Sequence, residues 1–209
     1  MTEIRAAFLD AAAVARQVIA SPAVAIRWAE PSALSDMTVG ALVAHLARAV
    51  TNVERSLEAP DPPSVAVVIS AAAYFAPVGP ALDSRINVRV RATSAEEALV
   101  GHRAVLGGMD RGLERLRARL EGEPEGRLVT VRDEEVLRLD DYLATRIIEL
   151  AIHTDDLCVS VGRETPELPG IDVAIRALVD IAAHRHGRLA VLRALARRER
   201  DPDQVLRVL

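Results

Sequence analysis

Apolar positions recur along most of the chain at three- and four-residue spacing, the repeat of a helix with one face against a core. Over residues 2–20 that face is Ile4, Phe8, Leu9, Val14, Val18 and Ile19, and Ser21-Pro22 ends the run. A connector with Trp28, Pro31 and Ser32 follows, Trp28 reading as a packing anchor. A second helix starts near Asp36, a good cap, and runs to about Glu58, with Val39, Leu42, Val43, Leu46, Val50, Val53 and Leu57 inward. The apolar run at 65–75 predicts a short helix packed as a cover. In 85–91, Ile86, Val88 and Val90 alternate as in a strand, although a helix leading onward fits as well. Ser94-x-x-Glu97 has the capping-box pattern and predicts a helix from there to about Glu121, with Leu99, Leu106, Leu113, Leu116 and Leu120 inward. Residues 128–139 read as extended, with a turn near Asp133. A fourth long helix starts at Asp140 or Asp141 and reaches about Val161, and 171–184 and 188–198 give further helices.

Pro- and Gly-rich breaks fall at 59–64, 77–80, 121–126 and 162–170. The prediction is an all-α fold: a four-helix bundle with a long crossover, a short extended segment near 127–139, and C-terminal helices over 171–198 packed on it. One domain over 1–209 accounts for the length. Composition supports this, being 50% apolar, only 2% aromatic and rich in the strong helix formers Ala and Leu. The net charge is -4, with signs mixed along the chain, so no broad basic face for nucleic acid is expected. All 26 basic residues are Arg, which reads as genomic base bias. The single cysteine, Cys158, excludes an internal disulfide and a Cys-rich zinc motif, and suits a reducing compartment. No apolar stretch reaches the roughly 18 residues of a membrane span, and Glu3, Arg5, Asp10 and Arg16 interrupt any signal-peptide core. A soluble, cytoplasmic protein without a membrane partner is expected.

The fourth helix carries the candidate chemistry. With Glu149 at zero, His153 lies about 40° round the axis, Asp156 about 20° on the other side, Arg146 about 60° and Tyr142 about 20°. Nearly everything else nearby is apolar, including Leu143, Ile147, Ile148, Leu150, Ile152 and Leu157. Such a stripe is either a solvent face held by charge pairs or the wall of a pocket. In a pocket, a carboxylate and an imidazole four residues apart can bind one metal ion from successive turns. The partner candidate is His45, at the edge of the second helix's apolar face. A lone histidine in that position is more often a satisfied core-edge residue than a ligand. His102 is a similar case, while His184 and His186 sit beside arginines near a helix end, where a cation suits the dipole. Three ligands leave a coordination position open, as in catalytic sites. Two histidines and a carboxylate suit Zn²⁺ first, and also Ni²⁺ or Fe²⁺. Asp156 would then orient an imidazole and Arg146 would pair with a carboxylate. Cys158 points away from this stripe and reads as a small buried residue.

Two stretches resemble a known family. Trp28-x-x-Pro31-Ser32 with Met37-Thr38-Val39-Gly40-Ala41-Leu42-Val43-Ala44-His45-Leu46 looks like the start of the DinB-like mycothiol-dependent maleylpyruvate isomerase family. The stretch from Asp141 to Leu157, with Arg146, Glu149, His153 and Asp156, looks like its second signature, and Tyr74-Phe75 fits between them. The resemblance implies a DinB/YfiT-like bundle in which His45, Glu149 and His153 hold a metal, usually zinc. It implies activation of a low-molecular-weight thiol, mycothiol by resemblance, acting on an electrophilic small molecule. It is also consistent with a homodimer. The chain departs from the pattern at Met37, where family members often carry Trp. About forty residues follow Gly170 and read as helix, in place of the isomerase's C-terminal α/β domain, so maleylpyruvate isomerisation itself is not implied.

Three functions follow as expectations: a thiol-dependent transferase or isomerase, a non-catalytic metal- or ligand-binding or regulatory bundle of the same fold, and a metal-free bundle. No general base is named beyond Asp156 as a candidate.

Overall fold

The computed structural model describes residues 1–78, 84–199 and 202–208. Four long helices form the body: α1 (Glu3–Ile19), α3 (Val39–Glu58), α6 (His102–Gly122) and α7 (Leu139–Val161), with the short α2 (Pro22–Ile26) between the first two. Helix α1 packs on α6 and α7, and α3 packs on the same two, so the four close into a bundle. Their facing side chains, among them Phe8, Leu42, Leu46, Leu116, Leu143 and Ile147, are fully or nearly fully buried. Between α3 and α6 the chain makes the long crossover, carrying α4 (Ala71–Tyr74) and α5 (Arg85–Ala98). Strands β1 (Leu128–Thr130) and β2 (Val136–Arg138) form an antiparallel hairpin around a 3-10 turn at Arg132–Glu134. Helices α8 (Ile171–His186), α9 (Arg188–Ala196) and α10 (Asp203–Leu206) follow, α8 packing on α7 and α4.

The helix ends have local causes. Thr2 and Thr38, each in extended conformation, cap α1 and α3 through their hydroxyls. The expected cap Asp36 instead sits in a left-handed turn (φ 61°), two residues before Thr38. Helix α7 stops at Gly162 in the left-handed conformation, and the N–H of Arg163 closes back on the Cys158 carbonyl.

Three expectations are corrected. The cover helix at 65–75 shrinks to Ala71–Tyr74: Val65 and Val67 are 88% and 81% exposed, and Val68 makes a parallel bridge to Val136. Residues 85–91 are helix, the strand alternative being wrong. Ser94 therefore opens nothing. It lies inside α5, its hydroxyl donating back to the Val90 carbonyl (2.6 Å), and the real break comes at Gly101, whose φ of 86° ends the helical path and leaves Leu99 exposed. The break expected at 77–80 runs outside the described residues from 79 onward, as do Asp201 and Leu209 of the C-terminal tail.

Trp28 fixes where the crossover meets the bundle. Its indole lies against Gly40, where a Cβ would come within 2.6 Å of the ring, and its Nε1 donates to the Ala98 carbonyl (3.3 Å). No helix among the described residues is long and apolar enough to cross a membrane.

Candidate metal centre

Helix α7 is apolar on most sides, and its Tyr142–Arg146–Glu149–His153–Asp156 stripe faces a cavity of about 1000 Å³ between α3, the crossover and the hairpin. Of the two readings of that stripe, the pocket wall is the one observed. Helix α3 brings His45 to the same place. His45 Nε2 lies 3.1 Å from Glu149 Oε2 and 3.1 Å from His153 Nε2, and His153 Nε2 lies 3.2 Å from the same carboxylate oxygen. Three donor atoms thus form a nearly equilateral triangle, with side chains 17–18% exposed. Two donors on a tetrahedral Zn²⁺ at about 2.0–2.1 Å stand about 3.3 Å apart, so the triangle has the size of one face of such a site.

The hydrogen bonds around the triangle set its protons. His153 Nδ1 donates to Asp156 Oδ2 (2.9 Å), which turns Nε2 toward the cluster. Burial pulls His153 down, but its bonds to Asp156 and Glu149 outweigh this and hold it at about 9. Burial pushes the Glu149 carboxyl up, yet hydrogen bonds from both imidazoles and the charge of Arg146 keep it well below the usual range. His45 is lowered, mainly by burial, against a raising bond to Glu149. Arg48 Nη2 donates to His45 Nδ1 (3.0 Å), which places the neutral ring's proton on Nε2. Without an ion, both rings therefore direct N–H groups at Glu149, and two protonated nitrogens stand 3.1 Å apart. A cation in place of those protons relieves the crowding, so the donor set fits a divalent metal. Binding requires Arg48 to release His45 Nδ1. The alternatives are in place: Arg48 also reaches Ser94 Oγ (2.7 Å) and Glu97 (3.4 Å).

All five residues of the stripe line the cavity together with His45. Met37, at the position of the family departure, lines it too. Arg146 is buried and its Nη2 is 3.9 Å from Glu149, a long ion pair. His102 takes no part, since its Nε2 donates to the Ile19 carbonyl (2.7 Å) and its ring meets Trp28 edge-on. His184 and His186 occupy the last turn of α8. Cys158 is fully buried and does not line the cavity. Arg48 was not among the candidate residues of the sequence. A basic residue three positions after His45 on one helix was the available signal.

The family described as mycothiol maleylpyruvate isomerase N-terminal domain matches residues 6–158, nearly three quarters of the chain. The chain belongs to this family. The match spans both helices that carry the cluster and the crossover between them. Neither the comparison with curated proteins nor that with solved structures returned a match.

Proposed function

We propose that the protein is a metal-dependent enzyme that uses a low-molecular-weight thiol, of the mycothiol kind, to attack an electrophilic small molecule by transfer or by reversible addition. The observation that carries this reading is the triangle of His45, Glu149 and His153 opening onto a cavity large enough for both reactants. Family membership supports the choice of thiol. A divalent ion there, Zn²⁺ by the donor set, supplies the Lewis acidity that makes a thiol a nucleophile at neutral pH. The chain's own residues do the rest. His45, Glu149 and His153 hold the ion, and Asp156 keeps the His153 ring oriented, a role that occupies the carboxylate otherwise considered as a base. Arg146 adds positive charge beside Glu149. In transfer, the thiol gives its proton to water, and the thiolate sulfur bonds to carbon as the leaving group departs with its electron pair. In isomerisation, sulfur adds to a conjugated double bond, the resulting single bond rotates, and the C–S bond breaks to release the thiol.

Elemental analysis tests the first half of this: about one metal per chain in the purified protein, and none in His153→Ala. Equal absence from both removes the metal reading. A conjugation assay with mycothiol and a panel of electrophiles tests the second half. A metal-loaded protein with no turnover across the panel replaces the enzyme by a non-catalytic metal- or ligand-binding bundle.

A further inference from the structure

Helix α5 covers one side of the cavity with little of itself buried. Of its 14 residues only Ser94 and Ala98 are buried, while Ile86, Val90 and Glu97 line the cavity. At its last turn the Trp28 indole donates to the Ala98 carbonyl (3.3 Å), and Gly101 (φ 86°) breaks the helical path just beyond. Its middle is reached from α3 by Arg48. Arg48 Nη2 stands 2.7 Å from Ser94 Oγ and 3.4 Å from the Val90 carbonyl, and Nη1 stands 3.4 Å from Glu97. The Ser94 hydroxyl donates to the Val90 carbonyl (2.6 Å), so its oxygen accepts from Arg48. The same Nη2 faces His45 Nδ1 at 3.0 Å. An Nη nitrogen carries two hydrogens, and three acceptors surround this one. His45 and Ser94 hold the two short bonds, which leaves the contacts to Val90 and Glu97 slack.

The engagement of His45 decides that contest. In the ion-free protein His45 Nδ1 accepts, and it draws the guanidinium toward α3. When His45 ligates through Nε2, its Nδ1 carries a hydrogen, and two donors face each other. The Arg48 hydrogen so freed has acceptors waiting on α5, at Val90 and Glu97. Arg48 also has room to shift, since it and Glu97 line a further, smaller cavity of about 260 Å³.

We propose that Arg48 is a latch between the metal cluster and a lid formed by α5: ligation by His45 transfers the guanidinium to the lid and draws it down over the cavity. The latch rests on the metal reading of the cluster, and it needs no particular substrate. Coupling of this kind is reciprocal, so a ligand that holds α5 down also strengthens ion binding. The lid therefore closes on copies that are loaded.

The test follows amide hydrogen exchange of the full chain, stripped with a chelator and then loaded with Zn²⁺, while native mass spectrometry counts ions per chain. In the wild type, exchange in α5 should slow by about fivefold or more on loading. Exchange in α9, which buries only Val191 and lends no residue to the cavity, should not change. Arg48→Met should bind the ion and show no such slowing in α5. Should Arg48→Met fail to fold by circular dichroism, Ser94→Ala decides: it removes the shortest bond between latch and lid and should show a smaller slowing than the wild type. A loaded wild type with unchanged α5, equal slowing in α9, or full slowing in a folded variant each overturns the latch. A chain that binds no Zn²⁺ overturns the latch together with the metal reading, and the ion count tells the two failures apart.

Discussion

Arg48 Nη2 stands 3.0 Å from His45 Nδ1, and an arginine can only donate there. An imidazole ligating through Nε2 carries its proton on Nδ1. Arg48 and an ion therefore compete for His45 from opposite sides of one ring. Arg48→Gln supplies a carbonyl that accepts the Nδ1 proton. It should tighten metal binding by about tenfold, the scale of outer hydrogen-bond partners at metal sites. Competition against a chromophoric chelator measures this, and weaker binding in the variant would show that Arg48 supports the ligand instead of opposing it.

Asp156 acts on the other imidazole in the opposite sense. Its carboxylate accepts the proton-bearing Nδ1 of His153 (N···O 2.9 Å) and so leaves Nε2 for the ion. Asp156→Asn should lower metal affinity by about 10- to 100-fold while the helices stay intact. Unchanged affinity in the same chelator assay would refute the orienting role.

Protons and metal contend for the same site. In the metal-free protein His153 is held at about 9, above its unfolded value of about 6.5. The stability it contributes is fully present below about 6.5 and is lost as pH rises through about 9. Glu149 is depressed, so its contribution is present above about 4.3 and is lost as pH falls through its lower folded value. An ion must displace the His153 proton, so metal affinity should climb with pH and level off near 9. A titration series between roughly pH 6 and 10 checks this, and a flat profile contradicts it.

Gly40 has no room for a side chain, because a Cβ would sit 2.6 Å from the Trp28 indole. Gly40→Ala should destabilise the protein by about 1–3 kcal/mol through overpacking, despite the better helix propensity of alanine. Urea unfolding reads the difference. A stabilised variant would mean that the indole moves away freely.

The bundle was legible because α1, α3 and α7 carry long apolar stripes, with a Ser-Pro stop after the first and a left-handed glycine after the last. The crossover was not. Ser94 and Glu97 match a capping box letter for letter, yet they are spent on tertiary contacts: both meet Arg48, which reaches them from α3. Val65 and Val67 look like core in a string but lie in solvent, because this segment follows Pro62-Pro63 and offers its backbone to β2. The site itself was half legible. Helical spacing places Glu149 and His153 together, whereas the meeting with His45 and the hold of Arg48 on its far nitrogen depend on how α3 and α7 pack. No local pattern records that.

His45 and Glu149 touch although 104 positions separate them in the chain. An ion shared between them would be a removable staple across half the molecule, closing a loop that the unfolded chain must otherwise leave open. A molecule that loses its ion would gape sooner between those two helices, and proteases would reach it first. Metal supply would then govern how long each copy keeps its fold.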